Sequence, residues 1–470
     1  MPLIINLISI ALFGMISCTN AAVHRYQIEI DQKIAHATVN ICFDGIAPKY
    51  LAVESKIGND DLVQFPHSEQ GNIEIQGRYW KTKHLADNAC IDYKVNIERY
   101  HAKRSKQSKK RKNIAYIEDN TWLWLPEVIS QSDQIELDFQ LPKWAEISTP
   151  WQQVNFSEYR FLLGHQPQEW GYTLMIGDFK VDHPKVANGH YLNIASVNSM
   201  PKSVAINQWL TDIAKGIEHY LGSYPVAQTQ VIVIAKNKPK SGPVPWGDFS
   251  RGNGFGIRFV VMINYEMEKF YTDWTAAHEF SHQLLPKLHF DDIWLSEGLS
   301  SYLQYVLMGQ MGVLSEEKAW TRLYSAFERT EKSMAKSKAE ALLETSKNWG
   351  EGYHRGRRMR VYWSGALMFL KADVTLREKS NGQIGLNDIL LKLNQCCIKG
   401  PKIWRGKNLV KQLDHLSASI IFSKLYREFA NNPSFPSYDN TFIQLGIILP
   451  MNDKQTLVIK QDSIARSIMQ

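Results

Sequence analysis

Two histidines and the glutamate between them carry the clearest chemical signal in the sequence: His278, Glu279 and His282. The residues around them, 274–285, are largely apolar and predict a buried helix, on which side chains four positions apart share a face. Two neutral imidazoles and a third protein ligand can hold zinc while a fourth position stays open for water. The metal acidifies that water, and a neighbouring carboxylate can take its proton. We therefore predict a zinc-dependent hydrolase rather than a surface helix with two ordinary histidines, because unpaired buried charge is costly.

The third metal ligand must come from residues further along the chain. A histidine six positions after His282 would indicate a metzincin, but that position is Leu288. Residues 293–302 form an amphipathic run that predicts a second helix, and a carboxylate on this helix can complete the site. We favour Glu297 from this run, and the alternative ligands are His289, Asp291 and Asp292.

Three segments together resemble a known enzyme family. Residues 278–282 and 293–298 are similar to the motifs of gluzincins, specifically the aminopeptidase-N-like and glycyl-aminopeptidase-like enzymes. Residues 361–370 resemble the Tyr-x-Lys-Gly-Ala segment of the same enzymes, and the likeness spans roughly residues 205–395. The resemblance implies a thermolysin-like order of a sheet, a zinc helix and a glutamate helix, preceded by an N-terminal β domain.

The resemblance also implies a role for individual residues. One zinc ion would be held by His278, His282 and Glu297. Glu279 would act as general base and then as general acid, while Tyr362 would donate a hydrogen bond to the oxyanion. From helical spacing alone, a core tyrosine with a satisfied hydroxyl is the favoured interpretation of Tyr362, and Tyr353 is the substitute for its catalytic role.

Several arginines precede Tyr362 in the sequence. They could bind a substrate carboxylate, although we favour the simpler interpretation that they form a solvated basic face. These residues are Arg355, Arg357, Arg358 and Arg360.

The chain departs from the family pattern in two places. The aminopeptidase-N-like enzymes carry a Gly-x-Met-Glu-Asn strand whose glutamate holds the free amine of the substrate, but the nearest segment here, residues 251–256, contains no glutamate. A glycine-rich edge strand still allows a peptide to pair as an added strand, so Asn253 and Gly254 are candidate substrate-binding residues. The second departure is that fourteen residues separate His282 from Glu297, four fewer than in the family pattern.

The chain of 470 residues is long enough for two or three domains, and its hydrophobic content of 44% is ordinary for a globular protein. Period-two alternation predicts strands in 24–190, whereas spacing of three to four predicts helices near 204–222, 316–331, 358–378, 386–395 and 408–430. Strands are also predicted over 230–235 and 254–263, with a loop over 236–252. We predict an α+β fold: a β-sandwich-like domain over 23–190, a thermolysin-like zinc lobe over 191–310 and a helical C-terminal lobe over 311–470.

The N-terminal segment predicts export. Residues 3–17 are apolar and uncharged, as in the core of a signal peptide, which we place at 1–22. Residues 15–18 resemble a lipobox, so lipidation of Cys18 is the alternative. We therefore expect a periplasmic protein or a membrane-anchored lipoprotein of a bacterium. An exported chain permits disulfides, and we pair Cys42 with Cys90 while leaving Cys396 and Cys397 open.

A basic segment over residues 103–112 carries seven positive charges, from Lys103 to Lys112, which equals the formal net charge of +7 for the whole chain. It could contact anionic lipid or another polyanion, although a solvated hairpin loop is the simpler interpretation. We expect peptide substrates as partners and no nucleic acid.

These observations predict an exported zinc metallopeptidase that resembles an aminopeptidase. Because the amine-binding glutamate is missing, a zinc endopeptidase without free-amine specificity is one alternative. A non-catalytic peptide-binding module on a peptidase fold is the other, although the intact Glu279 argues against it.

Overall fold

The computed structural model describes most of the chain, and every structural statement below refers to its described residues. The predicted signal segment with Cys18, the basic segment 103–112, Asn253 and Tyr353 lie outside these residues. No helix in the described part is long and apolar enough to cross a membrane. The described residues are 22–54, 58–98, 113–128, 133–155, 158–163, 171–187, 189–237, 242–251, 254–335, 340–350, 355–398, 402–449 and 457–470.

The first part of the chain folds into three β-sheets, and we call it the N-terminal β region (residues 23–177). Its seven-stranded sheet has the order Gln152–Gln153, Arg160–Leu163, Gln134–Gln140, Val23–Ile30, His36–Cys42, Cys90–Asn96 and Leu62–His67. A four-stranded sheet has the order Glu74–Gln76, Tyr79–Lys81, Tyr50–Ala52 and Leu125–Pro126, and a three-stranded sheet has the order Glu146–Ser148, Thr173–Gly177 and Ile114–Glu118.

The predicted alternation explains how this region packs. In the strand Val23–Ile30 every second side chain from Tyr26 onwards is buried, and the three sheets share one apolar core. Trp80 and Trp124 stack at the centre of that core, with their ring centroids 4.2 Å apart. Cys42 lies directly opposite Cys90 in the ladder, and the predicted disulfide between them is present.

A five-stranded sheet follows and supports the candidate site. Its order is Lys180–Asp182, Tyr191–Ser196, Gln228–Lys236, Phe255–Met262 and Trp246–Arg251. The last of these, which we call the edge strand, pairs antiparallel with Phe255–Met262. The prediction of a loop over 236–252 is therefore wrong for its second half. An edge strand that is half-exposed and contains Asp248 and Ser250 has no apolar period, so its ladder with Phe255–Met262 is what defines it.

The second half of the chain is largely helical, with a second apolar core. The helices are Ser203–Leu221, Met267–Tyr271, Thr275–Ser281, Ile293–Gln310, Glu316–Met334, Leu342–Lys347, Arg355–Lys379, Leu386–Cys396, Gly406–Leu416, Ile421–Ala430, Asp439–Gln444 and Ile464–Met469. The predicted α+β class is thus present, with several sheets and a helical C-terminal region.

Two details of the helical region differ from the prediction. The helix expected over 408–430 is two helices, because the chain turns at Ala418, whose φ is 48°, and the side chain of Asp414 accepts the N–H groups of Phe422 and Ser423 at the start of the second helix. A short strand pair, Ile447–Ile448 with Val458–Ile459, replaces helix near the C-terminus. The adjacent Cys396 and Cys397, left open in the prediction, are bonded to each other.

Three helices position the candidate site, and we name them by what they carry. The motif helix is Thr275–Ser281, the glutamate helix is Ile293–Gln310 and the tyrosine helix is Arg355–Lys379. The last two cross at a pair of glycines: a Cβ built on Gly298 would lie 2.3 Å from the Cα of Gly365. Any larger residue at this crossing would separate the backbones. The close contact therefore sets how near the two helices can hold their functional side chains.

Candidate metal centre

The motif helix lies buried between the five-stranded sheet and the glutamate helix. Ala276, Ala277 and Phe280 are fully buried on it, which explains why the sequence around the histidines is apolar. The helix ends at Ser281 and continues as a 3-10 turn, His282–Leu284. The rings of His278 and His282 are 5.0 Å apart between centroids, so the predicted pair shares one side of the helix.

The two imidazoles are held in the same way. The Nδ1 of His278 lies 3.0 Å from Oε1 of Gln304, and the Nδ1 of His282 lies 3.0 Å from Oγ of Ser296. An Nδ1–H that donates to such an oxygen leaves Nε2 as the free lone pair, which is the arrangement that metal-binding histidines use. Both Nε2 atoms therefore face the centre of the site, where the carboxylate of Glu297 also lies.

Glu297 completes this group of donors. Its Oε2 lies 3.1 Å from Nε2 of His278 and 3.8 Å from Nε2 of His282. The three ligand atoms lie within 4.8 Å of one another, and all three residues are buried. Two imidazoles and one carboxylate, converging in this way, fit zinc, which binds such mixed nitrogen and oxygen donors with one position left for water.

Charge at the centre follows from burial and from the neighbours. Burial lowers the pKa of His282 well below its ordinary value, helped by His278 and by the guanidinium of Arg251. Burial also disfavours a charged His278, but the hydrogen bond to Glu297 and the charge of Glu279 outweigh it, so the pKa of His278 is raised. The neutral form of His282 is the one that can ligate a metal.

Glu279 sits beside the donors without belonging to them. Its Oε2 is 4.0 Å from Nε2 of His282, and its side chain is 10% exposed. Burial, opposed by the charge of His278 and reinforced by the charges of Glu297 and Asp248, raises the pKa of Glu279 to about 8. A cation on the neighbouring donors would also oppose this shift by favouring the carboxylate form. The protonation state of Glu279 therefore depends on whether the neighbouring donors hold a cation.

Tyr362 reaches the site from the tyrosine helix. Its ring packs edge-on against His278, with centroids 5.6 Å apart. Burial raises the pKa of the Tyr362 phenol, and the carboxylates of Glu297 and Glu279 raise it further. The hydroxyl therefore keeps its proton across the physiological range and can serve as a hydrogen-bond donor.

The edge strand passes directly beside the motif helix. A Cβ on Gly247 would meet Cγ of Glu279 at 2.7 Å, and the ring of Phe249 stacks on His282 with centroids 3.9 Å apart. The predicted substrate residue Gly254 instead packs on the carbonyl of Pro150 and accepts a hydrogen bond from the hydroxyl of Tyr172. Among the described residues of this hairpin, Gly247 and Phe249 are therefore the ones against the site.

The alternative ligands have other partners. His289 and Asp291 both contact the guanidinium of Arg405, at 2.9 Å each. The buried Asp292 accepts a hydrogen bond from the hydroxyl of Tyr426 at 3.1 Å. None of the three belongs to the cluster of donor atoms found among the described residues. The fourteen residues between His282 and Glu297 thus suffice to bring Glu297 back to the histidines.

Sequence reasoning missed three residues that shape this site: Ser296, Gln304 and Phe249. Ser296 directly precedes Glu297, and Gln304 follows it by seven residues, two turns along the same helix face. A buried polar residue at that spacing is a signal that could have indicated Gln304. No such signal exists for Phe249, because only the pairing of the edge strand brings it to His282.

Comparison with known proteins defines the class of fold. No family model matches the chain, and no curated protein matches it. The crystal structure of an aminopeptidase N family protein from Idiomarina loihiensis matches with a TM-score of 0.64 at 14% identity, covering 94% of this chain and 82% of that chain. The M1 zinc metallopeptidase of Deinococcus radiodurans matches with a TM-score of 0.54 at 10% identity, covering 89% and 95%. A mutant of the latter, bound to a Tyr-Ser-Ala substrate, has a TM-score of 0.53 at 11% identity.

The chain therefore has the fold of aminopeptidase-N-like zinc metallopeptidases. This confirms, at the level of the fold, the resemblance that its motifs indicated. Within that fold the chain carries a buried group of two histidines and a glutamate, with a second glutamate and a tyrosine beside it.

Proposed function

We propose that this protein is a zinc-dependent peptidase that hydrolyses peptide bonds. The observation that carries the proposal is the convergence of His278, His282 and Glu297, whose donor atoms lie within 4.8 Å, with Glu279 beside them. A zinc ion held by these three residues would supply Lewis acidity, which lowers the pKa of a water molecule and polarises a carbonyl group.

The residues of the chain have separate tasks in this proposal. Glu279 accepts a proton from the attacking water and passes it to the leaving amine as the C–N bond breaks. Tyr362 donates a hydrogen bond to the carbonyl oxygen as that oxygen gains negative charge. Gln304 and Ser296 hold the two imidazoles in one tautomer, so that their Nε2 atoms stay directed at the metal.

We further propose that the protein is exported, either to the periplasm or as a lipoprotein anchored through Cys18. The apolar segment over residues 3–17 supports this, and so does the Cys42–Cys90 disulfide, since disulfides persist in oxidising compartments. Cleavage from the amino end is favoured by the folds that match, whereas cleavage without free-amine specificity is favoured by the missing glutamate.

Metal removal and return test the proposed reaction. The purified protein should contain close to one zinc per chain, lose peptidase activity on dialysis against a chelator, and regain it when zinc is added back. His282→Ala should lose both the metal and the activity. A protein that binds no zinc, or that binds zinc and cleaves no member of a peptide library, would instead favour the peptide-binding module.

A further inference from the structure

Two packed aromatic rings, Tyr362 and Trp349, connect the metal donors with the exposed side chain of Arg358. Tyr362 packs edge-on on His278, and Trp349 packs edge-on on Tyr362 with ring centroids 5.5 Å apart. The guanidinium carbon of Arg358 lies 5.3 Å from the centroid of the Trp349 ring. Arg358 is exposed and stands four residues before Tyr362, so both side chains project from the same face of the tyrosine helix.

The neighbouring arginine has a different task. Arg360 is buried and donates to Oγ1 of Thr345 at 2.9 Å, to the carbonyl of Asn432 at 2.9 Å and to the carbonyl of Glu340. It ties the tyrosine helix to two other segments. The basic face that the sequence predicts is therefore divided: Arg360 is structural, and Arg358 lies on the side of Tyr362.

The edge strand is poorly suited to hold a free amine. Its acidic residue, Asp248, accepts two hydrogen bonds from the guanidinium of Arg258, one of them at 2.9 Å. Towards the motif helix, the described part of the strand presents Gly247, Phe249 and the buried Arg251, which donates to the carbonyl of Gln283 at 2.8 Å. In the described part of this strand the one carboxylate is therefore already paired with a guanidinium, so a substrate ammonium group would find no acidic partner there.

The reach of Arg358 matches a carboxylate close to the reacting bond. A carbonyl under attack would lie between the metal donors and the hydroxyl of Tyr362. Each extended residue beyond it advances the chain by about 3.3–3.6 Å, so a carboxylate one or two residues further lies roughly 3–7 Å away. Side chains one helical turn apart start about 5–6 Å apart at Cβ. The planar guanidinium can bind a carboxylate with two parallel hydrogen bonds. Because it already packs over Trp349, the Arg358 side chain loses less conformational entropy when it binds a ligand.

We propose that Arg358 binds a substrate carboxylate on the leaving-group side of the scissile bond, so that the site selects peptides by an anionic group there rather than by a free amine. The proposal rests on the proposed peptidase function. The carboxylate can be the C-terminus of a short peptide or the side chain of an aspartate or glutamate.

Matched peptides distinguish these sources. One pair differs in a free or an amidated C-terminus, and a second pair, amidated throughout, carries glutamate or glutamine directly after the cleaved bond. Zinc-loaded wild-type protein should prefer the anionic member of at least one pair. Arg358→Gln should lower kcat/KM for that member by about 10- to 100-fold, mainly through KM, and affect the neutral member far less. Arg427→Gln, which removes an exposed charge from the helix Ile421–Ala430, is the matched control and should keep the preference.

A binding measurement separates failure of this proposal from failure of the peptidase function. The same peptides are titrated into the zinc-loaded Glu279→Gln protein with and without Arg358→Gln, and the dissociation constants are compared. Tighter binding of the anionic peptide that disappears with Arg358→Gln supports the proposal even if nothing is cleaved. Equal binding of anionic and neutral peptides overturns it even if both are cleaved. An equal loss on both members of a pair also overturns it, because Arg358 would then only position Tyr362.

Discussion

Two buried carboxylates, one in the N-terminal β region and one at the candidate metal centre, differ in their hydrogen-bond partners. Asp119 is fully buried, and its Oδ1 accepts the backbone N–H groups of Asn120 and Tyr172 at 2.8 and 2.6 Å. Glu279 is 8% exposed as a residue, and its Oε2 lies 4.0 Å from Nε2 of His282. The first carboxylate is bonded to the backbone, whereas the second is held close to ionisable side chains.

The difference separates stabilising from reactive acids. A carboxylate that accepts backbone N–H groups stabilises the fold, because removing it leaves buried donors without a partner. A carboxylate that is buried with little compensation has a raised pKa, and it costs stability while remaining ready to exchange a proton. We therefore expect substitutions at the two positions to affect different measurements.

The largest effect on activity is expected for Glu279→Gln. The amide cannot accept a proton, so kcat for peptide hydrolysis should fall by about 10²–10⁴-fold. Zinc content should be unchanged, and the melting temperature should be equal or higher because a neutral group replaces a buried acid. Metal analysis, calorimetry and peptide assays on one sample measure all three, and normal hydrolysis by this variant would refute the assigned role.

A somewhat smaller loss is expected for Tyr362→Phe. The ring contact with His278 persists while the donor to the carbonyl oxygen is removed, which should cost about 10²–10³-fold in kcat with little change in KM. Zinc affinity should stay within a few-fold of the wild type. An unchanged rate would show that Tyr362 is a packing residue, and a large loss of zinc would show that it supports the ligands instead.

Asp119→Ala should affect stability instead of chemistry. Removing the acceptor of two buried N–H groups should lower the free energy of unfolding by about 1–3 kcal/mol or more. Zinc content and kcat per folded molecule should stay within twofold of the wild type. Denaturant unfolding provides the first quantity. A fall in kcat comparable to that of Glu279→Gln would contradict the separation of the two acids.

The smallest effect concerns a half-buried acid of the N-terminal β region. Asp31 accepts the N–H groups of Lys33 and Ala35 and pairs with His36 at 2.8 Å. Partial burial acts to raise its pKa, but these hydrogen bonds outweigh burial and lower it below the ordinary 3.8. Because the folded-state pKa is the lower one, the stabilisation is present above about pH 4 and is lost as the pH falls through it.

Asp31→Asn should therefore lower the free energy of unfolding by a few tenths of a kcal/mol near neutral pH. The difference from the wild type should shrink towards zero when unfolding is measured at successively lower pH below 4. A difference that is constant across this range would mean that the ionised carboxylate is not the source of the stabilisation.

Local pattern predicted much of the fold. Alternation predicted strands in 24–190, where Val23–Ile30, His36–Cys42 and Gln134–Gln140 lie, and apolar spacing located Ser203–Leu221 and Glu316–Met334. These elements bury one face, so the spacing of their own apolar residues shows which side packs against the core. The edge strand Trp246–Arg251 was missed because half-exposed residues on a sheet edge show no apolar periodicity. Only its long-range pairing with Phe255–Met262 specifies it.

The sequence by itself determined the donor types and the local geometry of the motif helix, because residues four positions apart on a helix meet without help from the rest of the chain. It also singled out Glu297 and Tyr362, through motifs rather than through local physics. Only the tertiary structure decided which of the available acids approaches the histidines, which arginine faces Tyr362, and that Phe249 covers His282. Those contacts depend on how helices cross at Gly298 and Gly365 and on how an edge strand pairs, and neither depends on neighbouring residues alone.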